Sequence, residues 1–149
     1  MFKCLVISLT LLPLPTKETT LITDSFNAET GIVMAVVSGK VTIEEILDWT
    51  DTLTPERFPT RSFKGLFDAS DVEYSFRPAQ LKKFVEAITD FCTYFETVKI
   101  ATVHTNARGL AFSEVIRSNI SNKNFSQQSF FIREAALKWL LNGGIESLT

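Results

Sequence analysis

Short apolar runs with two-residue spacing alternate along this chain with longer stretches spaced at three and four, and that alternation predicts its elements. Phe2 to Leu12 is a continuous apolar, β-prone run closed by Pro13 and Pro15, which reads as a strand. Thr20–Phe26 and Ile32–Ser38 read as two more. The turn residues Asn27-Ala28-Glu29-Thr30-Gly31 lie between them and predict an antiparallel hairpin, with Gly39 ending its second strand. Thr42-Ile43-Glu44-Glu45 is a capping box, in which the Thr hydroxyl and the Glu carboxylate each satisfy an orphan backbone N–H. The helix it starts runs toward Leu53, with Ile43, Ile46, Leu47 and Leu53 on one stripe.

A loop follows from Thr54 to Thr60, then a strand from Phe63 to Asp68 and a loop from Ala69 to Phe76. Pro78 opens the clearest helix, which extends to Phe95. Its stripe is Leu81, Phe84, Val85, Ile88, Phe91, Cys92 and Phe95, and Lys82, Lys83, Glu86, Thr89 and Asp90 form its wet face. Val98–Thr105 is apolar enough for a central strand. Gly109 to Asn119 reads as a helix with Phe112, Val115, Ile116 and Ile120 inward. Gln128–Ile132 reads as a strand, and Arg133–Leu141 as a helix stopped by Asn142-Gly143-Gly144.

From Ile32 onward strands and helices alternate, which implies right-handed crossovers. The expected fold class is α/β: a mostly parallel sheet with an antiparallel N-terminal hairpin and about four helices. At 149 residues the chain makes one domain. Residues 20–149 form it, and residues 1–19 are an apolar extension or extra strand. Met1-Phe2-Lys3 ahead of the apolar run has the look of a signal peptide, but it offers one positive charge, no small-x-small site and two prolines. A retained strand is the expectation, and no run reaches membrane-spanning length.

Composition adds three constraints. Thirteen Phe against two Tyr and two Trp put most rings in the core or against a partner. A net charge of −2 and a pI near 5.4 argue against a nucleic-acid partner, which normally meets a clustered basic face; the uneven split, eleven acidic against six basic side chains in residues 1–75 and nine basic against six acidic in the rest, reads as solvated helix faces. Cys4 and Cys92 sit far apart in apolar company and suit a reducing, cytoplasmic setting.

Candidate chemistry is sparse. There is no Gly-x-Gly-x-x-Gly and no Gly-Lys-Ser/Thr, so no usual nucleotide cradle and no cofactor is expected. One His and two scattered Cys make no zinc set, and Asp68 with Asp71 is the nearest carboxylate pair. Open α/β sheets place their sites at the carboxyl ends of strands. Asp68, Ser70, Asp71, Tyr74, Ser75 and Arg77 follow one such end, and His104, Asn106 and Arg108 the next, with Thr105 between them. A Ser70–His104–Asp68 set can be drawn there, but Ser70 lacks a Gly-x-Ser-x-Gly elbow. His104 is in phase with Val98, Ile100 and Thr102, which favours a buried, hydrogen-bonded His on the helix-covered face.

Four segments carry a family resemblance: Gly31-Ile32-Val33-Met34-Ala35-Val36-Val37-Ser38-Gly39-Lys40-Val41-Thr42, Leu66-Phe67-Asp68-Ala69-Ser70-Asp71-Val72, Lys99-Ile100-Ala101-Thr102-Val103, and Ala135-Ala136-Leu137-Lys138-Trp139-Leu140. With the element order, they make residues 20–141 resemble the STAS-like, or SpoIIAA-like, bacterial proteins, the fold of anti-sigma-factor antagonists. The resemblance favours a non-enzymatic module that presents Ala69–Pro78 and the start of the next helix to a protein partner; separately, the apolar run Phe2–Leu12, as an added edge strand, suggests pairing with a second copy of the chain, a homodimer. Antagonists of this family carry a phosphorylatable Ser in an Asp-Ser-Ser-Gly-like turn at the start of the second helix. Here Phe76-Arg77-Pro78-Ala79 stands at that turn, with Ser75 one residue away. The alternative reading is a carrier of a small molecule or lipid, whose apolar pocket lies between sheet and helices and opens near His104 and Arg108.

Overall fold

The computed structural model describes residues 21–142. Strand β1 (Leu21–Asn27) and strand β2 (Ile32–Val41) form the hairpin. Asn27 makes its turn: the side-chain oxygen accepts from the N–H groups of Glu29 and Thr30, at 2.8 and 3.1 Å. Gly31 then takes a φ of +73°, open to glycine without strain. The N-terminal run Phe2–Leu12 and the Gly143-Gly144 stop lie outside the described residues.

Helix α1 (Ile43–Thr50) starts on the expected capping box, with both reciprocal bonds formed. A short 3-10 turn (Pro55–Arg57) interrupts the following loop. Strand β3 (Ser62–Tyr74), helix α2 (Pro78–Cys92), strand β4 (Thr97–Val103), helix α3 (Ala107–Asn119), strand β5 (Phe125–Phe130) and helix α4 (Arg133–Asn142) complete the chain.

The five strands lie in sequence order. β1 is antiparallel to β2, and the other neighbours are parallel. Each crossover from β2 to β5 therefore steps one place in the same direction, and right-handed connections put α1, α2 and α3 on one face. The core divides accordingly. Val33, Phe63, Val98 and Ile100 meet Ile88, Phe91 and Cys92 of α2 on that face. Ile32, Leu66, Ala101 and Val103 point the other way and meet Ala136 and Leu140 of α4. Among the described residues, no helix is long and apolar enough to cross a membrane.

Five expectations need correction. Ala69–Phe76 is not a loop, because β3 continues to Tyr74 through a bulge: Val36 pairs with Asp68, but Ser38 with Asp71. One extra residue in β3 restores the alternation, so Val72 and Tyr74 again join the core face. Gly39 does not end β2, since the extended β3 pairs with Gly39, Lys40 and Val41. α2 stops at Cys92, and Asn124 caps the turn beyond it by donating to the carbonyls of Cys92 and Phe95. β5 begins at Phe125 and leaves Phe131 and Ile132 well exposed. Val115 is exposed, and Ser113 takes the inward place on α3.

Candidate functional site

The carboxyl ends of β2, β3 and β4 bring the predicted residues to one end of the sheet but divide them between surface and interior. Asp71, Ser75, Arg77, Asn106 and Arg108 are exposed, Asp68, Ser70 and Tyr74 are half-buried, and His104 is buried. β4 last pairs with β3 at Val103 opposite Asp68, so the β3 extension runs past it with a partner on the β2 side alone. Thr105 reaches back across this gap, its hydroxyl donating to the carbonyl of Ser70 at 2.8 Å. The result is an open polar cleft of about 330 Å³ lined by Gly39, Lys40, Ser70, Asp71, Val72, Glu73 and Asn106.

The Ser70–His104–Asp68 set is not assembled. Asp68 sits at the register of Val103, one pleat away from His104, and so points to the opposite face. There it accepts from Ser70, through both the backbone N–H and the hydroxyl, and from Arg133 at the start of α4 at 3.2 Å. These bonds fix the bulge against α4. Asp68 is thus engaged by Ser70 and Arg133, and no group of three or more metal-type ligands occurs among the described residues.

His104 faces the α1–α3 side, as its phase with Val98, Ile100 and Thr102 implies. Its Nε2 lies 2.6 Å from the hydroxyl oxygen of Ser113 on α3, a partner that sequence reasoning did not single out. Ser113 in turn approaches Thr102 at 3.4 Å, and Thr102 approaches Ser129 at 3.1 Å. A buried polar chain therefore ties β4, α3 and β5 together. The imidazole Nδ1 has no hydrogen-bond partner among the described residues. It faces Gly109, where a Cβ would stand only 2.6 Å away. A bare lone pair against C–H costs less than an orphaned N–H, so the proton belongs on Nε2, donated to Ser113. Burial pushes the imidazole pKa below its ordinary value, and the charge of Asp68 works weakly in the opposite direction. Among the described residues no acid stands on Nδ1 as the third group that would orient a catalytic base.

Asn106 makes this approach possible. It is the N-cap of α3, its side chain accepting from Gly109 N–H at 2.7 Å, and it holds the first turn against the His ring. Arg77 occupies the corresponding N-cap of α2, and its backbone N–H donates to Gln80. No hydroxyl stands at that helix start. Ser75 is exposed two residues earlier, its N–H donating to Val41.

Inside the fold, between the sheet and α1, α2 and α3, lies a cavity of about 90 Å³. Aromatic rings of Trp49, Phe67, Tyr74, Phe84, Phe91, Phe112 and Phe125 line it, and Thr50, Thr102, His104, Ser113 and Gln127 are its polar residues. Tyr74 stacks on Phe112 at 4.6 Å, and burial raises its phenol pKa. Arg108 is not in the wall. Trp49 is half-buried, its indole N–H donating to Asp24 at 2.8 Å, while Tyr94 is exposed. Cys92 is a buried free thiol whose pKa is pushed up to about 11 by burial.

The same architecture occurs in solved structures. A protein of the DUF3478 family from Shewanella loihica, described as having a SpoIIAA-like fold, matches with a TM-score of 0.59 over 85% of this chain and 98% of its own, at 13% identity. An anti-sigma factor antagonist from Mycobacterium paratuberculosis matches with a TM-score of 0.50 over 87% of this chain and 98% of its own, at 15% identity. No protein-family model and no curated protein sequence matches the chain. The chain has the SpoIIAA-like, STAS-like fold, and at these identities the likeness is one of fold.

Proposed function

We propose that the protein is a regulatory module that works by binding another protein. The observation that carries this reading is the exposed rim at the carboxyl end of the sheet. There the β3 extension presents Asp71 and Glu73 beside an open cleft, and the starts of α2 and α3 add Arg77, Asn106 and Arg108. Exposed carboxylates and guanidiniums at one end of the sheet suit a partner with complementary mixed charge, and such pairing gives specificity and a fast encounter. One solved structure of the same fold is an antagonist of an anti-sigma factor, a protein that acts on another protein, which supports the reading by analogy. The N-cap of α2 is Arg77 rather than a hydroxyl residue, so a phosphorylation switch at that turn is not part of the proposal. A reducing, cytoplasmic setting is proposed with it, since Cys92 is an unpaired thiol. Homodimerisation rests on the Phe2–Leu12 run alone.

The test is purification of tagged protein from its own host, comparing wild type with the double variant Asp71→Lys, Arg108→Glu. Lys123→Glu, on the exposed turn before β5, is the control. Loss of a stoichiometric partner from the double variant, with the control unaffected and both folded by circular dichroism, supports the rim. Retention of the same partner by the double variant removes it.

A further inference from the structure

We infer that the interior cavity is a binding site for a small monocyclic aromatic compound carrying one hydrogen-bonding substituent, phenol in its simplest form. Protein cores are packed to near crystal density, with few voids larger than a water molecule. A void of about 90 Å³ beneath three helices departs from that rule. Apolar cavities of the same order stay dry and accept a benzene-sized guest. Here the volume suits one ring or a few carbons and excludes a long acyl chain. Ring-on-ring contact favours an aromatic guest, since offset and edge arrangements add to simple burial.

The polar substituent follows from Gln127. Its side chain leaves β5 at the register of Ile100, on the face that carries the cavity, and it lines the wall. Its amide makes no hydrogen bond to any described residue, whereas Thr102, Ser113 and His104 are already bonded to one another. A half-buried amide without a partner among the described residues is an anchor for a hydroxyl, which can give and take a hydrogen bond. Few convergent polar groups in an otherwise apolar wall is the usual make-up of a small-ligand site. We take the way in to lie between α2 and α3, whose half-buried rings line the wall. Phe84 and Phe112 face each other there, with centroids 6.0 Å apart and planes 9° apart, and both are half-buried.

The test is titration of uniformly 15N-labelled protein with phenol and, separately, with toluene, followed by amide shifts. Phenol should bind saturably with a Kd of about 1 mM or below, within reach of a seven-atom ligand. Shifts should centre on Thr102, Phe112 and Gln127. Gln127→Leu should weaken phenol about tenfold and leave toluene unchanged or tighter, the size expected for one buried hydrogen bond. Ile116→Phe, which fills the cavity from α3, should abolish both. No saturable shift with either compound in wild-type protein overturns the site. Toluene binding as tightly as phenol, or Gln127→Leu without effect on phenol, overturns the assigned ligand class. These readouts are independent of any protein partner.

Discussion

Gly109→Ala tests how the interior is held together, because two effects of opposite sign meet at that residue. Gly109 lies in the first turn of α3, and in a helix Ala is favoured over Gly by about 1 kcal/mol. Against this, the new Cβ would stand 2.6 Å from His104 Nδ1 and 3.2 Å from Cγ, where ordinary contact begins near 3.4 Å. The His ring is buried at the end of a central strand and bonded to Ser113 at 2.6 Å, so it cannot move most of an ångström without breaking that bond. Overpacking costs about 1–3 kcal/mol. A lost buried hydrogen bond adds about 1–2 kcal/mol. The clash wins, and Gly109→Ala should destabilise the protein by about 1–4 kcal/mol after the helix gain is subtracted. Urea unfolding followed by tryptophan fluorescence measures it. In a His104→Ala background the obstacle is gone, and the same change should stabilise by about 0.5–1 kcal/mol. The sign reversal is the signature. Stabilisation by Gly109→Ala in the wild-type protein would refute the packing described here.

Two further outcomes follow from the same structure. The native imidazole of His104 is held below its unfolded value near 6.5, so the unfolded state binds the extra proton; its contribution is full above that pH and is lost as pH falls below it. Unfolding midpoints taken between pH 7 and 5 should therefore drop on acidification, and His104→Gln should flatten the slope; an unchanged slope would show that another group governs it. Asp24, on β1, accepts from the Trp49 indole of α1 at 2.8 Å and from Arg57 of the 3-10 turn, and it is largely buried. Asp24→Ala strands both donors and should cost about 1–3 kcal/mol, and Asp24→Asn less; a neutral Asp24→Ala would show that these bonds are solvent-replaced.

Much of this architecture was legible in the chain. The capping box at Thr42 and Glu45, the stripe of α2 and the alternating strands are local signals, and among the described residues they placed the elements in the right order and of the right type, with several ends shifted. The fold class followed from their order. The bulge in β3 was not legible. Ala69-Ser70-Asp71 carries the polar composition of a loop, and only pairing with β2 and the Arg133–Asp68–Ser70 contacts make it strand. The end of α2 was overrun because Phe95 keeps the helical period while buried from a turn. For the site, the phase of His104 correctly placed it inside. Ser113 was missed because a lone Ser between Phe112 and Glu114 on α3 has no apolar signal, although its spacing to Gly109 and Ile116 put all three on one face. The cavity was anticipated only as a region, since a void is a property of packing and leaves no pattern in sequence.

The claim that this fold serves to hold a protein partner is met most directly by native mass spectrometry of the protein purified from its own host. The account predicts a complex with a second protein in fixed stoichiometry. A bare monomer, or one carrying only a small mass released on denaturation, would contradict it and leave the interior cavity as the functional site.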